Sequence, residues 1–156
     1  MRLDRLTNKL QEAFSDAQSL AVGGDHQFIE PVHLMMALLD QEGSSVRYLL
    51  NGAGVNVSYI RSMLGEAFER LPRVEGSYGE LHISNDLGKL LNQADKLSQK
   101  RKDKYISSEL IILAALDDKG IIGKIFERAG ARKEVLETAI EEMRAGQTVD
   151  EQGAED

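Results

Sequence analysis

The sequence contains one pattern twice, and this duplication limits the possible folds more than any other feature. Residues 17–43 align with residues 94–120 without a gap, and after one deletion residues 48–64 align with residues 124–140. Each copy carries an aromatic residue followed by isoleucine and, further along, an Ala-Gly pair. Self-similarity of this length indicates one structural unit used twice. We therefore expect a single domain of two pseudo-symmetric repeats.

The first copy divides into four predicted helices, whose limits are marked by glycine, serine or proline. Proline breaks a helix interior but is tolerated in the first turn, which is where Pro31 would lie. The boundary residues are Gly23, Gly24, Pro31, Ser44, Gly54 and Pro72. The predicted helices span about 4–22, 31–43, 44–54 and 56–70.

The second copy predicts four more helices. Ser84 is a candidate N-cap for a helix whose apolar residues, from Leu87 to Leu97, form one stripe. The other three helices are predicted to begin near Ser107, Gly120 and Ala131. No strand pattern of useful length occurs. The fold class is therefore all-α, with eight helices in two four-helix repeats: repeat one at about 4–70, a surface connection at 71–83, and repeat two at about 84–146.

Positions that are apolar in both copies are the simplest candidates for the core. The matched pairs are Phe14/Leu91, Leu20/Leu97, Ile29/Ile106, Leu34/Ile111, Leu39/Leu116, Leu50/Phe126, Ile60/Leu136 and Leu64/Ile140.

The predicted sixth helix is apolar around its whole circumference from Leu110 to Leu116. Two interpretations fit this pattern. Part of the helix could be exposed and bind extended polypeptide, with Asp103 and Glu109 nearby. Alternatively, it could be a central helix that other helices surround on all sides. Periodicity alone does not distinguish them.

Composition and charge exclude several classes of protein. The chain has no cysteine, so it has no disulfide or thiolate chemistry. No apolar run is long enough for a membrane span, and the N-terminus has no signal-peptide pattern, so we expect a cytoplasmic protein. Four acidic residues after position 149 supply more than half of the net charge of −7. A mildly acidic body without a sustained basic stripe argues against nucleic acid or membrane partners.

Catalytic and metal-binding patterns are weak. Glu30 and His33 have the Glu-x-x-His spacing of di-iron ligands, but the second copy lacks the pair, and a helix-start role for Glu30 is favoured. The histidines His26, His33 and His82 have no spacing typical of a zinc or acid–base site, and surface roles are favoured. No phosphate-binding loop or nucleophile elbow occurs. We therefore expect a non-catalytic chain without cofactor or metal.

Two charged segments remain. The densest basic cluster comprises Lys96, Lys100, Arg101, Lys102 and Lys104, at a predicted helix C-terminus, where cations favourably oppose the helix dipole. After Met143 the apolar periodicity stops, and residues 147–156 have the composition of a solvated acidic tail or linker.

Four stretches of the chain together resemble a known family: MRLDRLTNKL, QFIEPVHLMMALLDQEG, ISSELIILAAL and the closing run from EEMRAG to DEQGAED. They are similar to the duplicated Clp N-terminal domain, in the form carried by ClpB-type protein disaggregases. The resemblance covers the whole chain. It implies an eight-helix domain that binds unfolded or aggregated polypeptide, followed by a linker, here 147–156, towards ATPase modules that are absent from this chain.

In that family the ATPase modules hold ATP and Mg, form a hexameric ring and act with the DnaK chaperone system. The N-terminal domain engages substrate. The resemblance therefore implies a non-catalytic recognition domain, monomeric when isolated. An alternative within the same family is a domain that serves mainly as the docking site for a folded adaptor protein.

The resemblance also implies the substrate contacts. Thr7, Asp103 and Glu109 agree with the family's polar contact residues, and Leu97 and Leu110 would belong to an adjoining apolar groove. Structural roles are open for three of them: Thr7 and Glu109 can belong to helix starts, and Leu97 can belong to the core. Gln93 stands where the family implies an apolar residue, which leaves that end of the groove in doubt. If Asp103 and Glu109 are exposed, their replacement by alanine should change stability by less than ~0.5 kcal/mol.

Overall fold

The computed structural model describes residues 3–74 and 81–156. Within them the chain is all-α apart from two strands of two residues each, as the predicted helices and the lack of strand patterns indicate. A short 3-10 helix spans Leu3–Arg5. The helices are α1 (Asn8–Gly23), α2 (Pro31–Asp40), α3 (Ser45–Gly52), α4 (Val57–Arg70), α5 (Asn85–Lys100), α6 (Ser108–Leu116), α7 (Ile121–Arg128) and α8 (Lys133–Arg144), and the strands are β1 (Phe28–Ile29) and β2 (His82–Ile83).

Thr7 and Ser84 occupy equivalent positions and have the same local role. Each is an N-cap whose hydroxyl oxygen accepts a hydrogen bond from a backbone N–H of the first turn, that of Leu10 at 3.3 Å and that of Leu87 at 3.0 Å. This contact satisfies a donor that has no partner within the helix. The predicted start of the first helix near residue 4 is therefore wrong, because α1 begins after the cap at Thr7.

The two repeats exchange backbone hydrogen bonds across the molecule. In one direction β1 pairs in parallel with β2, with Ile29 opposite Ile83. In the other direction Leu6 forms a parallel bridge with Ile106. Under the duplication Ile29 corresponds to Ile106 and Leu6 to Ile83, so the same pairing is made twice. Each repeat thus pairs its backbone with the other at two equivalent places. The sequence has no strand pattern there, so this pairing was not predicted.

Helix α6 is the central helix of the molecule. It packs against α3, α5, α7 and α8, and every residue from Leu110 to Ala115 is at most 2% exposed. The uniform apolar circumference is therefore explained by burial on all sides, and the interpretation as an exposed binding helix is wrong. Five of the predicted core pairs are buried in both repeats: Ile29/Ile106, Leu34/Ile111, Leu50/Phe126, Ile60/Leu136 and Leu64/Ile140.

The connection between the repeats packs against the first repeat where it is described. The N–H of Val74 donates to the carbonyl of Asp25 at 2.8 Å, and Arg73 forms an antiparallel bridge with His26. Residues 75–80 of the predicted surface connection lie outside the described residues.

Two of the three histidines are not on the surface. His26 and His33 are buried, with His26 Nδ1 2.8 Å from His33 Nε2, and both rings pack edge-on against Phe68. The prediction of surface roles is wrong for this pair, because the repeat fold brings the loop after α1 onto α2. His82 is exposed, as expected.

Within residues 3–74 and 81–156, no helix has the length and apolar character needed to cross a membrane.

Candidate functional site

A buried ionic cluster lies where α5, α6 and α8 converge. Asp103 follows α5, Glu109 lies in the first turn of α6, and Arg144 is the last residue of α8. Arg144 Nη1 donates to Asp103 Oδ1 at 3.0 Å, and its Nη2 donates to Ser107 Oγ at 3.0 Å. The side chain of Arg144 is 10% exposed and that of Asp103 is 0% exposed. Asp103 and Glu109, which the family resemblance implies as substrate contacts, therefore lie in one cluster around Arg144. Both are buried and not on the open surface.

The cluster does not fully satisfy its own polar groups. Glu109 Oε1 lies 3.7 Å from Arg144 Nη2, and it has no hydrogen-bond partner among the described residues. Arg144 Nε also lacks one within the same part of the chain. Burial raises the pKa of Glu109, and the nearby Glu155 carboxylate raises it further, against the opposing effects of Ser107 and Arg144. A buried, incompletely partnered carboxyl group is a common feature of binding sites.

The segment that follows α8 returns to this cluster. Glu155 Oε2 accepts hydrogen bonds from the backbone N–H and the hydroxyl of Ser108, at 3.0 and 3.1 Å. It also accepts a hydrogen bond from the hydroxyl of Thr7. A carboxylate is favourable here because the first N–H groups of α6 have no partner within the helix. Glu155 therefore caps α6, from which it is distant in sequence. Its contact with Thr7 also makes Thr7 part of the same site.

Val149 anchors the middle of the same segment through its backbone. Its N–H donates to Asp103 Oδ1 at 3.0 Å, and its carbonyl accepts from the N–H groups of Lys104 at 2.8 Å and Tyr105 at 3.3 Å. The side chain is buried, with 7% of the residue exposed. Residues 147–156, expected from composition to be solvated, are mostly exposed, but they are held against the body of the domain by hydrogen bonds at Val149, Gln152 and Glu155.

The predicted apolar groove is not open in this structure. Leu110 is fully buried because α6 is central, so the prediction that it lines an accessible groove does not fit this conformation. Leu97 and Gln93, both on α5, are half-buried and remain partly accessible. The basic cluster lies at the end of α5 and in the turn that follows, as predicted.

Two participants in the site, Arg144 and Glu155, carry no local sequence signal. Arg144 contacts Asp103 over 41 positions, and Glu155 contacts Ser108 over 47 positions. A basic residue in a last helical turn and an acidic residue in a polar tail are ordinary features. A cation near Asp103 could have been predicted only if the burial of its carboxylate had been known, because buried charges are paired.

The Glu-x-x-His pattern has a structural explanation. Glu30 is the N-cap residue of α2, and its backbone N–H donates to His33 Nδ1 at 2.8 Å. No group of three or more metal-ligating side chains occurs among residues 3–74 and 81–156.

The chain matches the family model described as the Clp repeat (R) N-terminal domain over residues 5–129. It is 52% identical to the chaperone protein ClpB of Vibrio vulnificus over 156 residues, which is 100% of this chain and 18% of that protein. The chain therefore spans less than a fifth of the length of this curated relative.

Solved structures agree on the fold. The Hsp104 N-terminal domain from Candida albicans superposes with a TM-score of 0.83 and 24% identity, covering 97% of this chain and 99% of that one. A complex of the ClpV N-domain with a VipB peptide gives a TM-score of 0.71 and 24% identity, covering 92% and 89%. At this level of identity the two structures establish the fold alone. Because the family model covers most of both repeats, the chain belongs to the Clp N-terminal domain family.

Proposed function

We propose that this chain is the substrate-recognition domain of a ClpB-type disaggregase, which binds unfolded or aggregated polypeptide and assists its transfer to ATPase modules. The observation that carries the proposal is the polar site at the start of α6. There, the segment that follows α8 is held by its backbone at Val149 and by the carboxylate of Glu155. Backbone contacts of this kind suit extended chains of varied sequence.

The proposed contacts are Thr7, Asp103, Glu109 and Leu97. The first three surround the start of α6, and Leu97 supplies partly accessible apolar surface on α5. Leu110 would support these contacts from inside the core.

In the full-length protein, residues 147–156 would lead towards ATPase modules that hold ATP and Mg in a hexameric ring. The ring would act with the DnaK system in the cytoplasm, and nucleotide chemistry would be confined to those modules. The identity to ClpB over the whole chain supports this setting.

Nuclear magnetic resonance offers a direct test. Reduced and carboxymethylated lactalbumin, a permanently unfolded protein, would be titrated into the labelled domain. We expect shift changes at the amides of Thr7, Leu97 and Asp103. The duplication supplies internal controls, since Ser84, Leu20 and His26 are the equivalent positions. Equal changes at both sets, or none, would contradict the proposed site.

A matched pair of variants tests the apolar contribution. Leu97 and Leu20 are equivalent and both half-buried. Leu97→Ala should weaken binding of the unfolded probe, whereas Leu20→Ala should not, with circular dichroism confirming that both variants fold. Equal weakening by the two variants would indicate a general effect on the fold.

A folded adaptor protein is a second candidate partner. The complex of the ClpV N-domain with a VipB peptide shows that an N-domain of this fold binds a peptide from a particular protein. Retrieval of one stoichiometric folded partner, with no binding of the unfolded probe, would favour this alternative.

A further inference from the structure

Residues 147–156 form hydrogen bonds with residues of the proposed substrate site. Asp103 accepts from the N–H of Val149, Thr7 donates to Glu155, and the first turn of α6 donates to the same carboxylate. Beyond these contacts, Gln152 accepts from the N–H of Asn8 at 2.8 Å through its backbone carbonyl. The segment therefore contacts the start of α1 and the start of α6 at once.

These contacts have the chemistry of a bound peptide. The backbone of Val149 uses both its donor and its acceptor, and the Val149 side chain is buried. Glu155 then places one carboxylate oxygen on three donors, two from Ser108 and one from Thr7. Charge-assisted hydrogen bonds to a helix start are favourable for any carboxylate in this position. An acidic segment of another chain could make the same contacts.

The segment does not fill the space between itself and the body of the domain. A cavity of about 290 Å³ remains between the segment and the body, lined by residues that include Glu109, Met143, Arg144 and Val149. Glu109 and Glu155 both line this cavity, and one oxygen of the buried Glu109 has no hydrogen-bond partner among the described residues.

We propose that residues 147–156 are an intramolecular ligand of the polypeptide site, and that unfolded substrate displaces them. The inference rests on the proposed function and adds a regulatory step to it. It also specifies the preferred substrate: a stretch with a buried small apolar residue, then a turn like that of residues 151–155, then a carboxylate that caps α6. In a longer protein, substrate arrival would release the segment that leads away from the domain.

A charge-matched pair of variants in the full chain provides the test. Glu155→Ala removes the carboxylate that contacts Thr7 and Ser108, whereas Glu151→Ala removes a carboxylate that is exposed. In Glu155→Ala, nitrogen relaxation should show greater mobility at 149–156, and affinity for carboxymethylated lactalbumin should rise. If the segment is docked about 90% of the time, the rise should be about tenfold. Glu151→Ala should match the unmodified chain in both measurements.

The outcomes separate this inference from the proposed function. Probe binding with equal affinity in all three chains would overturn the intramolecular-ligand proposal and leave the proposed function intact. No probe binding to any of them would overturn both. A synthetic peptide of residues 147–156 should compete with the probe for the Glu155→Ala chain. The same peptide with Glu155→Ala should compete several-fold less well, and equal competition by both peptides would also overturn the proposal.

Discussion

At the scale of single residues, burial changes the contribution that the Asp103 charge makes to stability. Its carboxylate was expected to be exposed and its replacement nearly neutral for stability. In the structure the Asp103 side chain is fully buried and pairs with Arg144. Removing one member of a buried ion pair leaves the other charge uncompensated in a poorly solvated place. The expectation of a small effect is therefore wrong for Asp103.

We predict that Asp103→Ala lowers the free energy of unfolding by about 3–5 kcal/mol, because the buried Arg144 loses its hydrogen-bonded carboxylate and keeps only the more distant Glu109. Urea denaturation monitored by circular dichroism measures the change. Asp117→Ala is the matched control, since the ion pair of Asp117 with Lys133 is largely exposed. The control should lose less than about 1 kcal/mol. Similar losses in the two variants would contradict burial of the Asp103 pair.

The histidine pair predicts a pH dependence of stability. Burial lowers the pKa of His33 to about 4, and the neighbouring His26 contributes in the same direction. Burial and Arg73 lower the pKa of His26 as well, against opposing effects of Asp25, Glu69 and Glu30. A group whose pKa is lowered on folding stabilises the fold above its unfolded value of ~6.5. That stabilisation is lost as the pH falls from there towards 4.

His33→Leu introduces the residue that the second repeat carries at the equivalent position, Leu110. Between pH 7.5 and pH 5, we expect the unmodified chain to lose roughly 2 kcal/mol more unfolding free energy than this variant. Thermal and urea unfolding at the two pH values measure the difference. His82→Leu, at an exposed histidine, should retain the full pH dependence. An unchanged dependence in His33→Leu would contradict the buried neutral pair.

At the scale of elements, the start of α7 depends on a close approach of two backbones. The Asp118 side chain accepts from the N–H groups of Gly120 and Gly123, each at 3.1 Å, which caps α7. A Cβ atom at Gly123 would overlap the carbonyl oxygen of Asp118. Glycine at this position is therefore required by packing.

Gly123→Ala should lower the free energy of unfolding by about 1–3 kcal/mol, because the overlap forces the start of α7 away from Asp118. Gly65→Ala is the matched change within α4, where a Cβ would meet nothing within 4 Å. That change should raise stability by about 0.5–1 kcal/mol, since alanine favours the helix. Thermal unfolding of both variants is the measurement. Effects of the same sign would contradict the role assigned to Gly123.

Element boundaries were predictable where the stop or start signal is local. Pro31, Ser44 and Ser84 mark starts correctly because each acts on its own first turn. The predicted start of α1 was too early because Leu6 is not helical: its backbone pairs with Ile106 in the other repeat. A long-range backbone pairing leaves no periodic pattern in a stretch this short.

At the scale of the whole molecule, the reciprocal pairing makes the repeats interdependent. Leu34 and Ile111 are equivalent, fully buried residues of α2 and α6. Truncation of either to alanine should lower the free energy of unfolding by about 2–5 kcal/mol. We expect hydrogen exchange of α2 and α6 amides to accelerate together in each variant. Exchange that accelerates only in the mutated repeat would show that the repeats unfold separately.

The sequence by itself determined the duplication, the helical class and most of the shared core, because these depend on local propensity and on periodic burial. It also indicated, through family resemblance, that Asp103 and Glu109 belong together. Only the tertiary structure decided that α6 is central, that the two carboxylates are buried with Arg144, and that the final segment covers them. The Thr7–Glu155 contact joins residues 148 positions apart. Such contacts depend on where the folded body leaves donors and acceptors unpaired, which no local pattern encodes.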